Sequence, residues 1–66
     1  MRVGVLTERE RQVLEAKGPG RTDLEVASQL RIEIGTVKAH LRSARLKLGV
    51  PTTLAAVLKA QRQGQI

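Results

Sequence analysis

Residues 22–48 read TDLEVASQLRIEIGTVKAHLRSARLKL, two helical patterns separated by a short break. Thr22-Asp23-Leu24-Glu25 is a capping box. A threonine hydroxyl there can accept the amide proton three residues on, and the glutamate can reach back to the threonine amide. Val26, Ala27 and Leu30 follow at helical spacing, which predicts a helix over about 23–30. Arg31 to Glu33 form the break. Val37, Leu41, Ala44 and Leu48 then lie on one narrow apolar stripe of a second helix, about 34–48, which Gly49 ends.

Working outward, Thr7-Glu8-Arg9-Glu10 is another capping box. It opens a first helix over about 8–17, and Gly18-Pro19-Gly20 stops it, because proline cannot continue a helix and glycine accepts left-handed dihedrals. Glu8, Glu10 and Glu15 lie in this helix, two of them in the first turn, where the helix dipole favours acids. They read as a solvated face. Downstream, Thr52 caps a fourth helix over about 53–62. At about 100° per residue, Leu54, Val57 and Leu58 point one way, toward the core, while Ala56 and Ala60 widen the apolar arc to roughly 200°. That is more than one core contact needs, so Ala56 and Ala60 are expected at a dimer interface. The tail Gln63–Ile66 is expected to fray. No strand-like alternation competes, and the fold class is all-α: one four-helix helix-turn-helix domain over 1–66.

Sixty-six residues without cysteine or aromatics leave an aliphatic core: Leu6, Val13, Leu14, Val26, Leu30, Ile32, Val37, Leu41, Leu48, Val50, Leu54, Val57 and Leu58. A core of this size rarely supplies more than roughly 3–5 kcal/mol. The charge is lopsided. Residues 1–30 carry five bases and five acids, whereas residues 31–66 carry seven bases and one acid, Glu33, so the whole +6 surplus lies there. A pI near 11.3 suits nucleic acid or an anionic membrane surface, and the lopsided positive face on a helix-break-helix pattern makes a polyanion, duplex DNA first, the expected partner. The apolar run Leu54–Leu58 is far too short to span a bilayer and no leader pattern opens the chain, so the expected location is cytoplasmic, with no membrane partner. Catalysis and metal binding lack materials: His40 is the sole histidine, no cysteine accompanies it, and Ser28 and Ser43 have no evident base. Neither an enzyme nor a cofactor is expected.

With the aliphatic stripe of the third helix inward, the opposite arc holds Gly35, Lys38, Ala39 and Arg42 and, further round, Arg45 and Leu46. Lys38 and Arg42 can reach guanine O6 and N7 in a major groove, and the Ala39 methyl can meet a thymine methyl. Arg45 and Lys47, later in the helix, are assigned to phosphates, which add affinity without sequence information. A change at Lys47 would then weaken binding to all sequences alike.

LTERERQVL, Gly20, TDLEVASQL, TVKAHLRSARLKLGV and the Thr52-capped last helix together resemble the LuxR/NarL-type helix-turn-helix of bacterial transcription regulators, over about residues 6–60 with no insertion or deletion. The resemblance implies a four-helix effector domain that binds double-stranded DNA, its TVKxH helix entering the major groove. It implies base contacts at Lys38, Ala39 and Arg42, backbone contacts at Thr22, Thr36 and Lys47, and homodimer formation on DNA through the last helix. RNA polymerase is a further partner of such regulators. The chain departs from the pattern at Glu33, where a capping serine is usual, and at Gly18, Pro19, Asp23, Ala44, Thr53 and Leu46. The stretch GTVKAHLRSARLKL also resembles region 4 of bacterial sigma factors, although that region typically ends soon after its recognition helix. A protein-interaction domain using the fourth helix is the non-DNA alternative. The leading expectation is a nucleoid-associated transcription regulator binding specific duplex sequences.

Overall fold

The computed structural model describes residues 5–66; of the domain expected over 1–66, residues 1–4, Arg2 among them, lie outside the described residues. It contains four helices, α1 (Glu8–Lys17), α2 (Asp23–Leu30), α3 (Ile34–Leu48) and α4 (Thr53–Arg62), and no strand among the described residues. Both capping boxes form. The Thr7 hydroxyl accepts from Glu10 N at 3.1 Å while Thr7 N donates to Glu10 Oε1 at 2.8 Å; Thr22 and Glu25 repeat the pattern at 3.1 and 2.9 Å. Thr52 accepts from Ala55 N at 3.1 Å and starts α4. At the end of α3, Gly49 adopts φ +68°, and Gly49 N and Val50 N donate to Leu46 O and Arg45 O. This is a Schellman closure, with glycine in the left-handed position where a Cβ is costly. The α2–α3 turn closes the same way around Arg31 at φ +57°, with Ile32 N bonded to Ala27 O.

Helix α3 packs against all three other helices. Val13, Leu14, Val26, Ala27, Val37, Leu41, Ala44, Leu48, Ala56, Val57 and Ala60 form the buried core, with Leu6, Ala16, Leu30, Ile32, Val50 and Ile66 packed around it. The apolar stripe of α3 is thus buried throughout.

Helix α4 is rolled differently from the sequence expectation. Ala56 and Ala60 are completely buried inside the domain, whereas Leu54 and Leu58 are half exposed. The two alanines therefore do not form an outer strip, and the two leucines are not core. Three fully buried alanines, Ala44, Ala56 and Ala60, leave room for helices to approach closely, and that space does not admit leucine without strain. Polar contacts hold the same roll. Lys59 Nζ reaches back to Leu48 O at 2.7 Å, and Arg45 Nη1 donates to Thr53 Oγ1 at 3.1 Å. The tail is not frayed either: Leu6 N donates to Gln65 Oε1 at 3.0 Å and Ile66 packs against the core.

Candidate nucleic-acid interface

Because Val37, Leu41, Ala44 and Leu48 are all buried, α3 turns Gly35, Lys38, Ala39, Arg42 and Leu46 outward. These five residues and Ser43 line one open groove along the helix. The positions expected to meet bases, Lys38, Ala39 and Arg42, are all exposed and share this face. Among the described residues neither Lys38 nor Arg42 has an ion-pair or hydrogen-bonding partner, so both charges are free for an external anion. Thr36, in the first turn of α3, is exposed; so is Thr22, whose oxygen accepts from Glu25 N and whose hydroxyl proton remains available.

The other two cations of α3 are placed otherwise. Arg45 is half-buried and bonded to Thr53. Lys47, expected at phosphates, folds back to the carboxylate of Glu10: Nζ lies 2.8 Å from Oε1, and both side chains are largely covered. A phosphate contact from Lys47 would require breaking that pair.

Glu10 is the buried charged residue of the core, 3% exposed, which corrects its reading as part of a solvated face. Oε1 accepts from Thr7 N and Lys47 Nζ, and Oε2 from the Ser43 hydroxyl at 2.5 Å. One carboxylate thus caps α1 and clamps two residues of α3 one turn apart. The signal for a cap is local and legible; nothing in the sequence links Glu10 to partners more than thirty residues away. Burial alone would raise its pKa, but the hydrogen bonds from Lys47, Ser43 and Thr7 and the Lys47 charge outweigh burial and hold it at about 2. A carboxyl lowered on folding adds stability that is complete above its unfolded value of 4.5 and vanishes as pH falls through the folded value. At 1.36 kcal/mol per pKa unit, the shift is worth roughly 3 kcal/mol. Urea midpoints measured from pH 7 to pH 2 should hold to about pH 5 and then fall steeply toward pH 2. A flat profile below pH 5 would contradict the geometry.

The acids near the outer face divide into one paired and one open. Asp23 is neutralised by Lys17 at 2.7 Å, so its charge does not face a polyanion alone. Glu33 occupies the N-cap of α3 with extended backbone, is exposed, and makes no capping bond. Replacing Glu33 with serine should stabilise the fold by about 1 kcal/mol, because a serine hydroxyl satisfies an orphan amide of the first turn. It should also remove a negative charge from the end of α3 nearest Lys38. Thermal unfolding and duplex affinity measured together on E33S should both rise.

A roomier cleft lies elsewhere, between the end of α1, Gly18-Pro19-Gly20 and α2. Two of its three cations are neutralised within the protein, Arg11 by Glu8 and Glu15 and Lys17 by Asp23, and the third, the exposed Arg21, is hydrogen-bonded to the neutral Gln29. Arg21 is thus its one cation without an acidic partner among the described residues, against the pair Lys38 and Arg42 on α3. No group of three or more potential metal ligands occurs among the described residues, and no described helix is long and apolar enough to cross a membrane.

Comparison with known proteins gives a consistent picture. Residues 4–60 match the bacterial regulatory proteins of the luxR family. The spore germination protein GerE of Bacillus subtilis is 40% identical over 62 residues, covering 94% of this chain and 84% of GerE. The transcriptional activator protein SolR of Ralstonia solanacearum is 44% identical over 62 residues, and its counterpart in Ralstonia nicotianae is 44% identical over 55 residues. Here 94% and 83% of this chain are covered, but only 26% and 23% of the SolR proteins, so the chain spans about a quarter of their length. No solved structure matches the chain.

Proposed function

This chain belongs to the luxR family of bacterial regulatory proteins, DNA-binding regulators of transcription, and from that premise we propose that it reads specific duplex sequences by inserting α3 into the major groove. One observation carries the docking: Lys38 and Arg42 stand exposed and unpaired on the helix face opposite a fully buried stripe. In this reading Lys38 and Arg42 donate to guanine edges, Ala39 meets a thymine methyl, and Thr22 and Thr36 donate to phosphates. Arg45 and Lys47 are left out of the phosphate set, since Thr53 and Glu10 already engage them.

Two copies would pair through α4, but with the exposed Leu54 and Leu58 at the seam in place of Ala56 and Ala60. Leu58 lines a mainly apolar groove there with Val50, Ala55, Gln61 and Arg62, which supports its place at the seam, and Leu54 is exposed one turn before it. A symmetric pair would read half-sites about 10–10.5 base pairs apart. The chain acts in the cytoplasm at the nucleoid, performs no chemistry, and meets RNA polymerase as a second partner. The luxR match favours this reading over a sigma-type promoter module or a domain that binds protein alone.

Selection of bound duplexes from a random pool tests the proposal, reporting the half-site and its symmetry together. Affinity for the selected duplex should then fall with salt, at a log–log slope of about −0.9 for each phosphate charge that a cation of the protein neutralises. Recovery of no common sequence, or salt-insensitive binding, would overturn it.

A further inference from the structure

Leu46 is the most exposed large apolar side chain among the described residues, at 72%. It sits one helical turn beyond Arg42 in the same groove as Lys38 and Ala39. We propose that Leu46 is a specificity-determining residue that packs against a thymine methyl in the major groove, just beyond the base held by Arg42. The inference rests on the docking of α3 described above and extends it to the second half of that helix.

Arg45 and Lys47 flank Leu46 in sequence, and both turn back into the protein, to Thr53 and Glu10. The outer face therefore ends in a leucine whose neighbouring cations are turned aside, Lys47 onto a carboxylate and Arg45 onto a threonine hydroxyl. Exposed as it is, Leu46 adds little to the packed core, and it would gain nothing against phosphate oxygens. The thymine C5-methyl is the apolar feature that a major groove presents. Leu46 lies about 6 Å along the helix axis from Arg42, a little under two base-pair steps. The methyl is therefore expected within two base pairs of the guanine that Arg42 contacts, and continuity with the cationic face makes duplex DNA the occupant.

The test uses the duplex selected from the random pool. Each thymine is replaced singly by uracil, which lacks only the methyl, and binding is measured for the unaltered chain and for Leu46→Ala. Because Leu46 is exposed, the variant should fold, which helicity and the urea midpoint will verify. At one position uracil should weaken binding of the unaltered chain about fourfold, the worth of one buried carbon group. Leu46→Ala should lose at least as much on the thymine duplex and should no longer sense that uracil. If every uracil duplex shifts both proteins by the same factor, or if Leu46→Ala leaves affinity unchanged, the inference is wrong. An effect of Leu46→Ala confined to self-association or to polymerase binding would overturn it equally and hand the residue to a protein partner. Lys38→Ala and Arg42→Ala, measured on the same duplex, separate the two levels. If they weaken binding while Leu46 proves silent, only this inference fails; if they too bind undiminished, the docking itself fails.

Discussion

Glu10→Ala is expected to destabilise the domain by about 3–5 kcal/mol, because it leaves the Lys47 ammonium largely covered and without its counter-charge. A core of this size supplies roughly that much in total, so the variant should be substantially unfolded at 25 °C. The loss combines three effects at one residue: the capping bond to Thr7, the bond from Ser43 and the pair with Lys47. Circular dichroism at 222 nm during urea titration measures it. A rescue experiment identifies the cause. Glu10→Gln keeps the shape and some hydrogen bonding but strands the same ammonium, so adding Lys47→Met should recover part of the lost stability, since an apolar replacement of both partners is tolerated better than a broken pair. A Glu10→Ala protein within about 0.5 kcal/mol of the unaltered chain would show that the carboxylate is not the keystone described here, a difference expected only of surface substitutions.

Lys38→Ala and Arg42→Ala should behave in the opposite manner. Both side chains are exposed and unpaired, so the urea midpoint should stay put. Affinity for the selected duplex should fall by about 1–3 kcal/mol for each, and discrimination at the contacted base should relax. Lys47 provides the contrast. Read as a phosphate contact, its replacement would weaken all duplexes alike in a folded protein. Placed against Glu10, its replacement should lower stability, with any binding loss following from the unfolded fraction. Measuring affinity and urea midpoint for Lys38→Ala, Arg42→Ala and Lys47→Ala therefore separates two kinds of lysine that look alike in the sequence. Undiminished binding by both Lys38→Ala and Arg42→Ala would refute the docking of α3.

Much of this domain was legible because its signals are local. A threonine followed three residues later by glutamate satisfies its own amides, and Gly49 closes α3 within five residues, so neither depends on the rest of the chain. The buried stripe of α3 was legible for the same reason: Val37, Leu41, Ala44 and Leu48 permit only one inward face. The fold class and the outward face of that helix follow directly. Helix α4 was ambiguous because leucines and alanines surround most of it. Periodicity then gives the width of the apolar arc but not which part of it turns inward. Ala56 and Ala60 went inward because a close approach to the core leaves room for methyl groups, and Leu54 and Leu58 were left outside.

The same division explains the charges. Composition gives the basic surplus, and residue order places it after residue 30 and supplies the capped pair of helices with its luxR-type pattern. Which cations remain available is a three-dimensional matter. Lys38 and Arg42 stay free because no acid packs beside them, whereas Lys47 meets Glu10 only after α1 has folded across α3. Helical identity, and the facing of a helix with one narrow apolar stripe such as α3, are set by neighbours within a turn, where sequence separation and spatial separation coincide. Ion pairing across the core and the roll of α4 depend on atoms brought together from distant parts of the chain, and these only the packed tertiary structure could decide.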